Sequence, residues 1–278
     1  MTRIESWDFD NTGLGVKALT VSGPIASASE VFLALCGRWR ESESAERFRQ
    51  MVAELKTKRV VGASLGFDDV LSAIHRRCSL RYVSLRDVPW SHLPWAVWAR
   101  GEGNCLGTGL LIRWVCESVG VPSQGVLLGR HYLLRVQDGR RMRYVDRVRV
   151  RRDDVAPAFM RRHIPPHTRR RLSLREELAL LVQAQSCVSL GHFGRREAAM
   201  AEAELAMGLG RRIPLIRRHY ARLKVLTNPC AKKGTSDDRL RLRCKTPGAE
   251  DPYPVLGTTP TPPGADGVVS DAGLQSPL

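Results

Sequence analysis

From Cys105 to Val119 apolar residues recur with the period of a helix. Leu106, Leu110, Leu111, Trp114 and Val115 form one stripe, Asn104 stands where a cap belongs, and Gly120 with Pro122 ends the run. Three strand-like runs follow at once, Gly125 to Leu128, His131 to Val136 and Arg143 to Val150. The last two are joined across Asp138-Gly139, a strong signal for a two-residue turn. Strands joined by tight turns run antiparallel and leave one face to be covered, so this order predicts an α+β fold in which a helix packs on an antiparallel sheet.

Helical sequence flanks that unit on both sides. Ala28, Val31, Phe32 and Leu35 recur at i, i+3, i+4, i+7, as do Phe48, Met51, Val52 and Leu55, with Ser27 and either Ser42 or Ser44 as caps. A third helix is predicted from Phe67 to His75, and the tryptophan-rich stretch Pro89 to Trp98 reads as a loop whose rings pack into the core. Downstream, Val155 to Arg171 holds Pro157, Pro165 and Pro166 among arginines and reads as a connection. Helices are then expected over Leu174 to Leu190, Arg195 to Met207 and Pro214 to Leu226, the first two as an antiparallel pair. Eight of the 16 prolines fall in the last 51 residues, which predicts a disordered tail. The organisation expected is a helical amino-terminal segment over 1–88, a core over 89–154, a helical appendix over 172–226 and a tail over 228–278.

Composition narrows the classes of function. The longest apolar stretch, Val16 to Leu35, is broken by Lys17, Pro24 and Glu30, so no membrane-spanning helix is expected, and Glu5, Asp8 and Asp10 are unlike a secretory leader. A cytoplasmic protein follows as the expectation. Seven scattered cysteines without a C-x-x-C pair argue against a disulfide framework and a zinc site, and His163 with His167 reads as a non-metal pair, so neither metal nor cofactor is expected. The net charge of +16, with 37 of 44 basic residues arginine, raises a polyanionic partner. Aromatics at 6% and the lack of any nucleic-acid-binding signature rank that reading below a solvated basic surface.

Cys105 is the candidate with chemistry. Unpaired N–H groups and the macrodipole at a helix start favour a thiolate, and Gly103, Gly107 and Gly109 leave room for a substrate backbone. Cys116 lies on the same helix face but mid-helix and reads as core. A nucleophile needs a base, and the base an orienting group. If Asp138 and Gly139 are the turn residues, facing positions sum to 277 and His131 stands opposite Asp146, with Cβ atoms about 5 Å apart. A four-residue loop would set Val148 there instead.

Gly103-Asn104-Cys105, the helix after it, Val119-Gly120-Val121-Pro122, Gly129 to Val136 and Tyr144-Val145-Asp146 together resemble the transglutaminase-like superfamily. The resemblance implies a papain-like core that uses Cys105 as nucleophile, His131 as proton shuttle and Asp146 to orient it, in acyl transfer on a protein or peptide. It also implies an oxyanion site made by the Cys105 N–H with a side chain from Asn104 or Trp98. One branch of that superfamily carries tetratricopeptide-like helices after the core, and Leu190-Gly191-His192-Phe193 with the Ala-rich helix behind it is similar to part of such a repeat, a possible surface for a protein partner. Arg130 stands where the branch commonly has glycine, and Arg147 where proline often follows the aspartate. Two further readings remain open: a non-catalytic interaction scaffold of the same fold, and an arginine-rich polyanion binder.

Overall fold

A computed structural model describes residues 42–60, 65–146, 149–151 and 169–227. The expectations for Ser27 to Leu35, for most of Val155 to Arg171, for His163 with His167 and for the tail after Asn228 lie outside the described residues.

The chain is α+β. Helices α1 (Ser42–Val60) and α2 (Phe67–Arg77) lead in. Phe48, Met51 and Leu55 of α1 and Phe67, Val70 and Ile74 of α2 are buried, the spacing that puts one face of each helix inward. Ser44 belongs to the first turn of α1. Asp68 and Asp69 open α2 while His75, Arg76 and Arg77 close it, the order that suits a helix dipole. The short strand β1 (Arg81–Tyr82) then pairs in parallel with β2 (Glu102–Gly103), which fixes the loop after Tyr82 beside the residues that precede Cys105.

The tryptophan-rich stretch is not all loop. Pro94–Arg100 forms helix α3, because Pro94 occupies the first helical turn, where its missing N–H is no loss, and Gly101 closes it at φ 76°. Trp95 and Trp98 are buried, and Trp98 meets Phe48 edge-on with ring centroids 6.1 Å apart. Helix α4 (Cys105–Ser118) follows, with Asn104 as its cap: the side-chain oxygen accepts from the Gly107 N–H at 2.9 Å.

Five strands make one antiparallel sheet in the order β6-β5-β4-β3-β7. They are β3 (Ser123–Leu128), β4 (His131–Asp138), β5 (Arg141–Asp146), β6 (Arg149–Arg151) and β7 (Arg169–Arg171). The last corrects the reading of Val155 to Arg171 as connection throughout: Arg169 to Arg171 pair with Leu128 to Val126. The hairpin register also differs from the expectation. Asp138 pairs with Arg141 and Gln137 with Met142, so facing numbers sum to 279 rather than 277. Asp138 is held in the strand because its carboxylate accepts from the Phe67 N–H at 3.4 Å and pairs with Arg143 at 2.9 Å. Gly139, at φ 58°, takes the left-handed position of the turn instead.

Three helices complete the described chain: α5 (Leu174–Gly191), α6 (Arg196–Gly210) and α7 (Pro214–Thr227). Ser173 and Glu176 form a reciprocal capping box at the start of α5. One hydrophobic core runs from Ala45 in α1 through α4 and the sheet to Ile216 in α7, and a smaller one, with Ala199, Ala203 and Leu223, joins α6 to α7. None of the described helices is long and apolar enough to cross a membrane.

Candidate active site

Cys105 is the first residue of α4, and its N–H bonds to none of the described residues, as expected of a first-turn donor. His131 opens β4 and Asp146 ends β5. The changed register sets Asp146 level with Leu133, two residues from His131, but a shift of two leaves both side chains on the same face of the sheet. Diagonal neighbours on one face remain within reach, and the His131 Nε2–H donates to Asp146 Oδ1 at 2.7 Å. The pair is therefore present, by a diagonal rather than a direct opposition. With Nε2 committed to Asp146, Nδ1 is the nitrogen left to bond the Cys105 thiol.

The electrostatics of these groups are coupled. Burial alone pushes the Cys105 thiol up, but the His131 cation, the hydrogen bond from its ring and the Tyr132 backbone N–H outweigh burial and the opposing charge of Asp146, so the thiol lies below its ordinary value. Burial would likewise lower His131, yet the charge of Cys105, the hydrogen bonds to Asp146 and Cys105, and the Asp146 charge raise it to about 10. Both shifts run in the direction that favours a thiolate beside an imidazolium. The other buried thiols behave oppositely. Burial pushes Cys78 up to about 11 and Cys116 up to about 12, and Cys116 is fully buried core as expected. The four described cysteines are all free.

A cleft of about 490 Å³ reaches Cys105. Asn104, Cys105 and Leu106 line it from the α4 start, Leu127, Arg130 and Tyr132 from the sheet. The loop after β1 adds Arg86 and Asp87, and α5 adds Leu180, Gln183 and Cys187. That loop is tied to the α5–α6 turn, where the His192 ring donates from Nε2 to the Leu85 carbonyl at 3.0 Å.

The glycines around Cys105 are close-packed within the protein rather than open to a substrate. A Cβ on Gly107 would strike the Ser91 carbonyl, and one on Gly109 would lie 2.5 Å from the Tyr132 ring. Trp98 is also unsuited to the oxyanion role: its ring is 1% exposed and its Nε1–H donates to the Ser44 carbonyl at 2.8 Å. Asn104, which lines the cleft, is the candidate that remains.

Two groups of consequence carry no signal in the sequence. Tyr132 supplies the backbone N–H to Cys105 and sends its hydroxyl to the fully buried Glu177 of α5 at 3.0 Å, with Arg113 Nε 3.8 Å from the same carboxylate. Gly125 permits that approach, since a Cβ there would collide with Glu177 Oε1. Cys187 is the second: Gln183 Nε2 donates to its sulfur at 3.2 Å, and His219 Nδ1 lies 3.7 Å away. The His219 Nε2–H donates to Ser186 Oγ at 2.9 Å, which in turn donates to the Ala199 carbonyl. Gln183 stands one helical turn before Cys187, but Tyr132 and Glu177, and Cys187 and His219, are far apart in the chain, so neither periodicity nor spacing brings those together.

Among the described residues no group of three His, Cys, Asp or Glu side chains could hold a metal ion. Comparison with known protein families, with curated proteins and with solved structures finds no match.

Proposed function

We propose that this chain is a cysteine-dependent acyl-transfer enzyme acting on a protein or peptide amide, with a transglutaminase-like core and a tetratricopeptide-like helical appendix. The single observation that carries the reading is the half-buried chain of contacts from Cys105 through His131 to Asp146 at the start of a helix, opening on a cleft. The His131 cation stabilises the thiolate, and the thiolate attacks the amide carbonyl. Negative charge that develops on the carbonyl oxygen meets the Cys105 N–H, with the Asn104 amide as second donor. His131 gives its Nδ1 proton to the leaving amine as the C–N bond breaks and a thioester forms. Water then attacks the thioester, His131 takes its proton, and a carboxylic acid leaves; an amine attacking in its place yields a new amide. Asp146 holds the imidazole with Nδ1 toward the sulfur and supports its positive charge. Free thiols at Cys78, Cys105, Cys116 and Cys187 suit a reducing, cytoplasmic setting.

The test is alkylation by iodoacetamide across pH, with each cysteine quantified by mass spectrometry. Cys105 is expected to react well below the pH at which an ordinary thiol does, and Cys105→Ser to abolish that reactive fraction. A Cys105 rate that follows an ordinary thiol titration would remove the basis of the proposal.

A further inference from the structure

Several arginines of the described chain are committed. Arg113 pairs with Glu117 and Glu177, Arg143 with Asp68 and Asp138, Arg170 with Glu176, and Arg59 donates to the Val119 carbonyl. Two that line the cleft are not. Arg86 and Arg130 are exposed and have no ion-pair or hydrogen-bond partner among the described residues. Their backbones are nevertheless fixed. Arg86 sits in a turn closed by Asp87 N–H and Val88 N–H to the Ser84 carbonyl at 3.2 and 3.0 Å, and Arg130 lies in the β3–β4 turn where Leu128 pairs with His131. Asp87, the carboxylate of the same wall, accepts from Ser84 Oγ at 2.6 Å and so is already engaged. Leu106, Leu127, Leu180 and Leu215 give the cleft an apolar floor.

Resting on the reading of Cys105 as a nucleophile, we infer that the cleft selects an acyl donor with an apolar side chain and a carboxylate close to the reacting carbonyl, the carboxylate being held by Arg86 and Arg130. Guanidinium groups bind carboxylates through paired N–H donors, and two of them carried on separate ordered turns of the cleft that reaches the thiol discriminate against neutral and cationic donors. Arg130 lines the same cleft as Cys105, on the turn that leads into β4.

The test compares iodoacetate with iodoacetamide as alkylating agents for Cys105 in the full-length protein. In both the thiolate attacks the methylene carbon and iodide leaves, so the two reagents differ by one negative charge. The iodoacetate-to-iodoacetamide rate ratio is expected to fall about threefold in Arg86→Ala or Arg130→Ala and about tenfold in the double variant, and to fall with added salt more steeply in the parent than in the double variant. His131 favours the anion equally in all four proteins, so the comparison among variants isolates the arginines. Protection of Cys105 from iodoacetamide by acetyl-Leu-Glu-amide or by acetyl-Leu-Gln with a free carboxyl terminus, against acetyl-Leu-Gln-amide as the neutral control, identifies whether a side-chain or a terminal carboxylate is recognised. A reactive Cys105 with a ratio unchanged in the double variant, or equal protection by all three peptides, overturns the selectivity and leaves the nucleophile standing. An unreactive Cys105 overturns both.

Discussion

Replacing Asp146 with asparagine removes one negative charge while keeping an oxygen that can accept from His131 Nε2. The contact is short, 2.7 Å, and the two side chains are only 19% and 16% exposed, so solvent screens it little. A hydrogen bond to a charged group is worth about 1.5–3 kcal/mol and a neutral one about 1 kcal/mol, which leaves a loss of about 0.5–2 kcal/mol for the imidazolium. At 1.36 kcal/mol per unit this lowers the His131 titration by about one unit, from about 10 to about 9. The direction is fixed by sign, because the bond and the charge of Asp146 both favour the cation. Imidazole chemical shifts followed by NMR across pH read His131 directly, and the same samples give the alkylation profile of Cys105. The thiolate–imidazolium ion pair should persist over a narrower range, its imidazolium lost about one unit lower on the alkaline side while the sulfur stays ionised. An alkaline His131 titration that does not move in Asp146→Asn would refute the idea that Asp146 supports the cation.

Asn104→Ser keeps a cap acceptor for the Gly107 N–H but loses the amide donor, so thermal stability should hold while amide turnover falls about a hundredfold; Asn104→Ala should in addition lose about 1 kcal/mol in denaturant titration. Gly109→Ala drives a methyl into a fully buried ring whose hydroxyl is pinned by Glu177, and should cost about 1–3 kcal/mol of stability together with the rapid reaction of Cys105. Burial raises Glu177 from 4.5 to about 7. Its proton is held more tightly folded than unfolded, so its contribution is complete below about 4.5 and is lost as pH rises through about 7. Glu202, also raised to about 7 by burial, acts in the same sense. Thermal melts should accordingly show higher stability at pH 5.5 than at pH 8, about those two titrations, with the difference reduced in Glu177→Gln.

Much of the fold was legible because local rules governed it. The α4 boundaries, its Asn104 cap and the strand at His131 follow from period, capping chemistry and a glycine stop. The helix expected from Leu174 starts there, and a capping box of Ser173 and Glu176, local chemistry again, fixes that start. Asp138-Gly139 misled by one position because a tertiary contact, the Asp138 carboxylate on the α2 start, outweighed the turn preference of the aspartate. The site residues were nevertheless brought together, since a slip of two preserves the face of a strand. Trp98 was misread because its neighbours in the sequence say nothing of the Ser44 carbonyl that takes its N–H. Glu177, Gln183 and Cys187 were invisible as site residues for a general reason: on the sequence they are ordinary members of a helix, and only packing turns that helix toward Cys105.

Helix α5 therefore cannot be trimmed away as an ornament. Its Glu177 fixes the hydroxyl of the tyrosine whose backbone faces the thiol, and its Leu180, Gln183 and Cys187 close the cleft. A chain ending before residue 174 would hold Cys105, His131 and Asp146 and still lack the α5 wall of the cleft, which on the proposed function confines a substrate. On the proposed function, a ligand or protein that loosens the contact of α5 with Tyr132 would therefore alter the surroundings of the thiol without touching it.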